Sequence, residues 1–215
     1  SIVTLELTFG QEIQKIFYIH INVSFLLKLM NYLICQLLND EEIKIIKNQL
    51  NKNMNDWEDG KKTAGSHAAK LKNNLQLNRS SEISKNLSKL IVKKILSSPL
   101  IKSFSLPKNI HSTMFAKSSK GMKYGRHIDN AFMSTGRADL SFTIFINDKN
   151  QYKGGELKVE SINKENKFKL NSGEIIIYPS TYLHSVEEIL SGERLVCVGW
   201  IESYKKSIEE REYLF

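Results

Sequence analysis

Cysteine, proline and arginine are scarce in this 215-residue chain, which has two, three and five of them. Cys35 and Cys197 cannot build a disulfide-rich secreted scaffold or a four-cysteine zinc site. As two small buried hydrophobes they fit a reducing compartment, and a cytoplasmic location is expected. Three prolines and 11 glycines against 41% hydrophobic residues exclude collagen-like, mucin-like and wholly disordered chains. An unbroken apolar run is missing as well. The most apolar stretch, residues 16–34, is interrupted by His20, Asn22, Lys28 and Asn31 and makes a poor membrane span. It also lacks the basic head and the cleavage site of a signal peptide, with Glu6 and Glu12 preceding it. No membrane partner is expected.

The net charge of +8 invites a nucleic-acid reading, but lysine supplies 26 of the 31 basic residues. Those lysines are scattered (Lys44, Lys47, Lys61, Lys62, Lys93, Lys94, Lys205 and Lys206 among them), with no interleaved aromatics. They read as a solvated surface, and no nucleic-acid partner is expected. Where lysine is the default cation, a retained arginine answers a geometric need. Arg126, Arg137 and Arg194 fall in the segment that carries the chemistry.

The pattern along the chain predicts an α+β protein. Residues 1–29 read as an upstream extension, and Met30 opens the domain proper. Apolar residues from Asn31 to about Gln49 recur at helical spacing, with Asn39-Asp40-Glu41-Glu42 as a helix start. Residues 51–66 read as a loop. A second amphipathic helix is expected over Glu82–Leu96, ended by Ser97-Ser98-Pro99. After Pro107 the period changes to two, and strands are expected at 110–115, 140–146, 156–160, 168–170, 174–178 and 195–201. Their spacing indicates a sandwich or barrel over residues 107–202, packed against the helical part at 30–106. Residues 203–215 look like a helix cut short at an aromatic residue.

The informative residues are His127-Ile128-Asp129 and, far downstream, His184. In His-x-Asp on an extended segment both side chains project to one side, so an imidazole and a carboxylate can grip one ion. A second imidazole makes the 2-His-1-carboxylate set that suits ferrous oxygen chemistry and leaves the opposite face open. His-x-Asp alone is common, and a surface His beside a satisfied Asp is its plainer explanation. The context adds weight: His184 follows the strong strand at 174–178, and Arg194 opens the next one. A guanidinium there can hold a carboxylate by a paired hydrogen bond, as anchoring 2-oxoglutarate requires.

The run Tyr124-Gly125-Arg126-His127-Ile128-Asp129-Asn130-Ala131 resembles the metal-binding strand of the PKHD-type hydroxylases, Fe(II)- and 2-oxoglutarate-dependent dioxygenases of the prolyl 4-hydroxylase superfamily. The likeness continues through Arg137–Phe145, Tyr152–Leu157, Leu170–Glu174, Tyr178-Pro179-Ser180 and Leu183–Val186. Upstream it takes in Asp59–Gly65 and Lys72–Leu77. It implies a double-stranded β-helix (jelly-roll) core with packed N-terminal helices. It also implies iron ligands His127, Asp129 and His184, and a 2-oxoglutarate anchor at Arg194. Tyr124 matches a position that can contact the co-substrate, or serves as a core aromatic. The implied reaction consumes O₂ and 2-oxoglutarate, releases succinate and CO₂ and hydroxylates a substrate, with ascorbate as reductant.

Arg137, Lys72, Asn74 and Gln76 are the candidate substrate-side groups, each with a solvated-surface alternative. Gly154 and Gly155 read as hairpin residues, since no helix start follows them. The substrate stays open between a prolyl or other protein side chain, a free amino acid and a small iron-chelating metabolite. Two rivals share parts of the pattern: an oxygenase of this kind acting on nucleic acid, and a non-catalytic jelly-roll binding module.

Overall fold

A computed structural model describes residues 32–63, 66–161 and 164–215. The upstream extension expected at 1–29 lies outside the described residues. Tyr32–Phe215 forms one compact unit.

The chain enters as strand β1 (Leu33–Gln36), followed by helix α1 (Asp40–Lys52). The helical spacing predicted from Asn31 therefore fails for its first turns. Leu33 and Cys35 instead pair with Ile177 and Ile175, extending a sheet. An apolar run this short fits either period, and the partner strand decides it. The helix begins at Asn39, where a capping box closes: Asn39 Oδ1 accepts the Glu42 N–H at 2.9 Å and Glu42 accepts the Asn39 N–H at 3.0 Å.

The expected loop at 51–66 holds an edge strand, β2 (Trp57–Asp59), flanked by 3₁₀ turns. Helix α2 (Ser66–Leu71), β3 (Lys72–Asn73) and β4 (Leu75–Leu77) follow. Helix α3 (Glu82–Ser97) matches its expected span and buries Leu87, Ile91 and Ile95. Ser98-Pro99 ends it and also starts α4 (Pro99–Ser105), because Ser98 accepts the Ile101 N–H while proline occupies the first turn.

Eleven strands come next: β5 (Pro107–Ser119), β6 (Lys123–His127), β7 (Phe132–Met133), β8 (Gly136–Arg137), β9 (Leu140–Phe145) and β10 (Tyr152–Gly154). They continue as β11 (Leu157–Ser161), β12 (Lys164–Phe168), β13 (Glu174–Pro179), β14 (Leu183–Val186) and β15 (Ile189–Ser203). Helix α5 (Ile208–Leu214) closes the chain. The larger sheet runs β1-β13-β9-β15-β5-β4-β2, with β10 on β15; the smaller runs β12-β11-β14-β6-β3.

Both sheets are antiparallel, and together they form a jelly roll. Phe145, Ile176, Tyr178 and Val196 from the larger sheet meet Leu157, Val159 and Phe168 from the smaller in one apolar cluster. All six residues of β9 are buried; Phe145 faces the smaller sheet, and helix α3 packs on β5 of the same larger sheet. Near the cluster the sheets part and leave a cavity of about 340 Å³.

Candidate metal and co-substrate site

β6 and β14 are neighbours in the smaller sheet, and His184 stands directly opposite His127 in their register. The sheet thus brings the two imidazoles together, with ring centroids 4.2 Å apart. Asp129, two residues past the end of β6, turns back toward them. Its Oδ1 lies 3.9 Å from His127 Nε2 and its Oδ2 3.6 Å from His184 Nε2. Donor atoms of all three residues lie within 4.8 Å of one another.

Hydrogen bonds fix what each donor can offer. His127 Nδ1 lies 2.8 Å from the Gly125 carbonyl, and His184 Nδ1 lies 2.9 Å from that of Tyr182. A carbonyl only accepts, so each Nδ1 carries the proton and each Nε2 presents a lone pair. Burial, reinforced by His184, pulls the His127 pKa down to about 4, which keeps its ring neutral. Asp129 Oδ2 accepts from Ser141 Oγ at 2.6 Å and from Trp200 Nε1 at 2.9 Å. Oδ1 accepts no hydrogen bond among the described residues and is left for an ion beside the imidazoles. Two imidazole nitrogens and one carboxylate oxygen on one side, with cavity on the other, form a 2-His-1-carboxylate set of the kind that suits a ferrous ion.

Trp200→Phe removes one of the two hydrogen bonds that orient Asp129. Iron affinity is expected to fall by about 10–100-fold, as is usual when an orienting partner of a metal ligand is lost. A ferrous or manganous titration measures it, and an unchanged affinity would remove Trp200 from the site.

Arg194 occupies another part of the cavity wall. Its side chain is 4% exposed, its guanidinium carbon lies 5.4 Å from the Phe145 ring centre, and the buried Tyr152 hydroxyl has no partner among the described residues. Among the described residues no carboxylate pairs with it, and its Nε has no partner. Burial alone pushes its pKa below the ordinary arginine range. A buried, uncompensated cation is costly, and a bound carboxylate would relieve it. Gly155 makes the room. Its φ of +72° favours glycine, and a Cβ there would lie 2.3 Å from Ile189 Cδ1 and 3.1 Å from Arg194 Cδ. Gly155, read with Gly154 as a hairpin residue, thus also has a steric role beside Arg194.

Tyr124 stacks on His127 at 3.7 Å between ring centres, and Lys72 Nζ lies 5.3 Å from the Tyr124 ring. Tyr124, Lys72, Asn74 and Gln76 all line the cavity. Arg137 does not. Its guanidinium grips Asp139 through two 2.8 Å bonds and also reaches Glu202 at 3.2 Å and the Ser203 carbonyl at 2.8 Å. The substrate-side role expected for Arg137 therefore gives way to a structural one, because it does not line the cavity and four of its five N–H donors are spent on protein partners. Arg137→Ala is expected to cost about 2–3 kcal/mol, the loss of charged hydrogen bonds to a nearly buried Asp139. Urea or thermal melts read it. Arg126 is likewise a strut, paired with Glu160 at 2.6 and 2.8 Å.

Ser141, Trp200, Tyr152 and Tyr178 are not identifiable as site residues from the sequence. Each lies on a strand whose alternation marks only that it is buried. Trp200, one of two tryptophans, carried the best available signal, an indole that needs an acceptor when buried.

Residues 113–202 match the family model of the 2OG-Fe(II) oxygenase superfamily. A PKHD-type hydroxylase of Prochlorococcus marinus (strain MIT 9312) is 73% identical over 186 residues, 86% of this chain and 84% of that protein. Among solved structures, a Pseudomonas putida prolyl-4-hydroxylase shares the fold with a TM-score of 0.61 at 14% identity, covering 86% of this chain and 98% of that one. A Trichoplax adhaerens prolyl hydroxylase, solved in complex with a hypoxia inducible factor oxygen degradation domain peptide, gives 0.59 at 15% identity and covers 96% and 97%. The sequence likeness runs through both histidine strands and Arg194 at an identity that leaves no room for a different family, and this chain belongs to the PKHD-type hydroxylases of the 2OG-Fe(II) oxygenase superfamily.

Proposed function

We propose that His127, Asp129 and His184 hold the ferrous iron of this hydroxylase and that Arg194 anchors 2-oxoglutarate by its distal carboxylate. The observation that carries the assignment is the direction of the lone pairs: both Nδ1 protons are spent on carbonyls and Asp129 Oδ2 on Ser141 and Trp200. When bound, iron and co-substrate supply oxidative decarboxylation to succinate and CO₂ coupled to hydroxylation by O₂.

The chain itself supplies placement and dryness. Arg194 offers its guanidinium donors to a carboxylate at one end of the cavity. Val196, Val198 and Leu157 keep water from the wall between that end and the histidines. Tyr124 fixes the plane of His127 by stacking and lines the cavity where the co-substrate would lie. Lys72, Asn74 and Gln76 face the substrate.

Ascorbate is the reductant that returns over-oxidised iron to the ferrous state, as the family resemblance implies. The two free cysteines support a reducing, cytoplasmic setting. Among the described residues no helix is long and apolar enough to cross a membrane.

Anaerobic titration with Fe(II) and 2-oxoglutarate tests the assignment. A visible charge-transfer band, followed in air by succinate release, is expected. No band and no succinate would reject it, as a purely binding module requires.

A further inference from the structure

We infer that the substrate of this hydroxylase presents a carboxylate to Lys72. The inference rests on the iron and 2-oxoglutarate assignment above and adds the chemical class of the third ligand.

Lys72 is 6% exposed, an unusual place for a lysine without an acidic partner. Among the described residues no carboxylate lies within ion-pair distance of it. Its ammonium has only the Thr63 hydroxyl, at 3.3 Å, and the face of Tyr124. Burial lowers its pKa to about 8, with Asp129 and Asp59 offsetting part of the effect.

Lys72 belongs to a polar wall. Thr63 Oγ1 bonds Gln76 Oε1, which leaves the Gln76 amide nitrogen without a protein acceptor among the described residues although Gln76 is 2% exposed. Asn74 lines the same wall, its amide oxygen buried against Gly60 and unpartnered. A carboxylate can accept from the Gln76 amide nitrogen, whereas the Asn74 oxygen is itself an acceptor and calls for a donor.

This wall is not the Arg194 site. Lys72 sits on β3, at the edge of the smaller sheet, whereas Arg194 sits on β15 of the larger. Gln76 pairs with Ala116, and Ala116 with Val196, so Gln76 stands two strands, roughly 10 Å, from β15.

Charge points the same way. The cavity is lined by three cations, Lys72, Arg79 and Arg194, and by one carboxylate, Asp129. A ferrous ion is offset by Asp129 and a 2-oxoglutarate dianion, and then one cation is still unmatched even with Arg79 left to solvent. A substrate carboxylate at Lys72 neutralises it. That carboxylate belongs either to a small acid or to an Asp or Glu side chain of a polypeptide.

The test uses holoenzyme loaded anaerobically with Fe(II) and saturating 2-oxoglutarate. Calorimetric titration with acetate and benzoate is compared with acetamide and benzamide, while the visible band reports that 2-oxoglutarate stays in place. Saturable binding of the carboxylates alone is expected, weakened by at least about tenfold in Lys72→Met and kept within a few-fold in Lys72→Arg. The band in each variant verifies that the site has folded.

Absence of carboxylate binding, equal binding of the amides, or binding indifferent to Lys72→Met would overturn the inference. A 2-oxoglutarate requirement raised in Lys72→Met as much as in Arg194→Met would also overturn it, by assigning Lys72 to the co-substrate. A missing band in the unaltered protein would instead reject the iron and 2-oxoglutarate assignment. Succinate release stimulated by free amino acids and small acids, or by peptides bearing Asp or Glu, separates the two sources. Stimulation confined to uncharged compounds would count against both.

Discussion

Asp129→Ala is expected to lower iron-dependent succinate release by more than about a hundredfold, beyond what loss of an orienting partner alone produces. Asp129 is the one carboxylate of the set, so its removal takes away the only protein negative charge, among the described residues lining the cavity, that would offset a metal. It also strands the Trp200 N–H and the Ser141 hydroxyl, although Ser141 keeps Ser180 as a partner at 2.8 Å. The fold should survive, because Asp129 lies past the end of β6 and outside the apolar cluster between the sheets. A ferrous titration and a thermal melt separate the two effects. Full activity in this variant would show that the iron is held elsewhere.

Arg194→Met should divide binding from stability. A charged hydrogen bond to a carboxylate is worth about 1.5–3 kcal/mol, so the 2-oxoglutarate requirement should rise about 10–150-fold. The free protein should melt no lower than the unaltered one. Its guanidinium has no carboxylate partner among the described residues and an unpaired Nε, so an apolar side chain of similar length removes a desolvation cost. A purely structural arginine would behave in the opposite way, with loss of stability and an unchanged co-substrate requirement. The pair of measurements discriminates even if one of them is ambiguous by itself.

The helices were the most legible elements. Asn39 and Ser81 start theirs with side-chain caps, and the buried residues of α3 recur at the spacing that was visible in the chain. The long strands β5, β9, β13 and β15 were legible for the complementary reason, since each has a continuously buried stretch that reads as an apolar run. β1 was misread as helix, because four residues fit either period until β13 is there to pair with. β6 and β14, which carry both histidines, gave no strand signal. Their inward positions are spent on ligands and their neighbours, so the alternation that marks a strand is missing where the chemistry sits.

Arg137 shows the same limit from another side. Its rarity as an arginine marked it as purposeful, but whether the purpose was ligand or scaffold depended on Asp139 and Glu202 reaching it.

Local sequence by itself determined that His127 and Asp129 could share an ion, that Arg194 lies on a strand beyond His184, though not at its start, and that β structure follows Pro107. The meeting of His127 with His184 was decided by tertiary structure, through the register between β6 and β14. So was the isolation of Arg194 and Lys72 from every described carboxylate. Spacing along a chain sets what a segment can present, while desolvation and the partner that arrives from a distant strand set which of those groups are spent and which are left for a ligand.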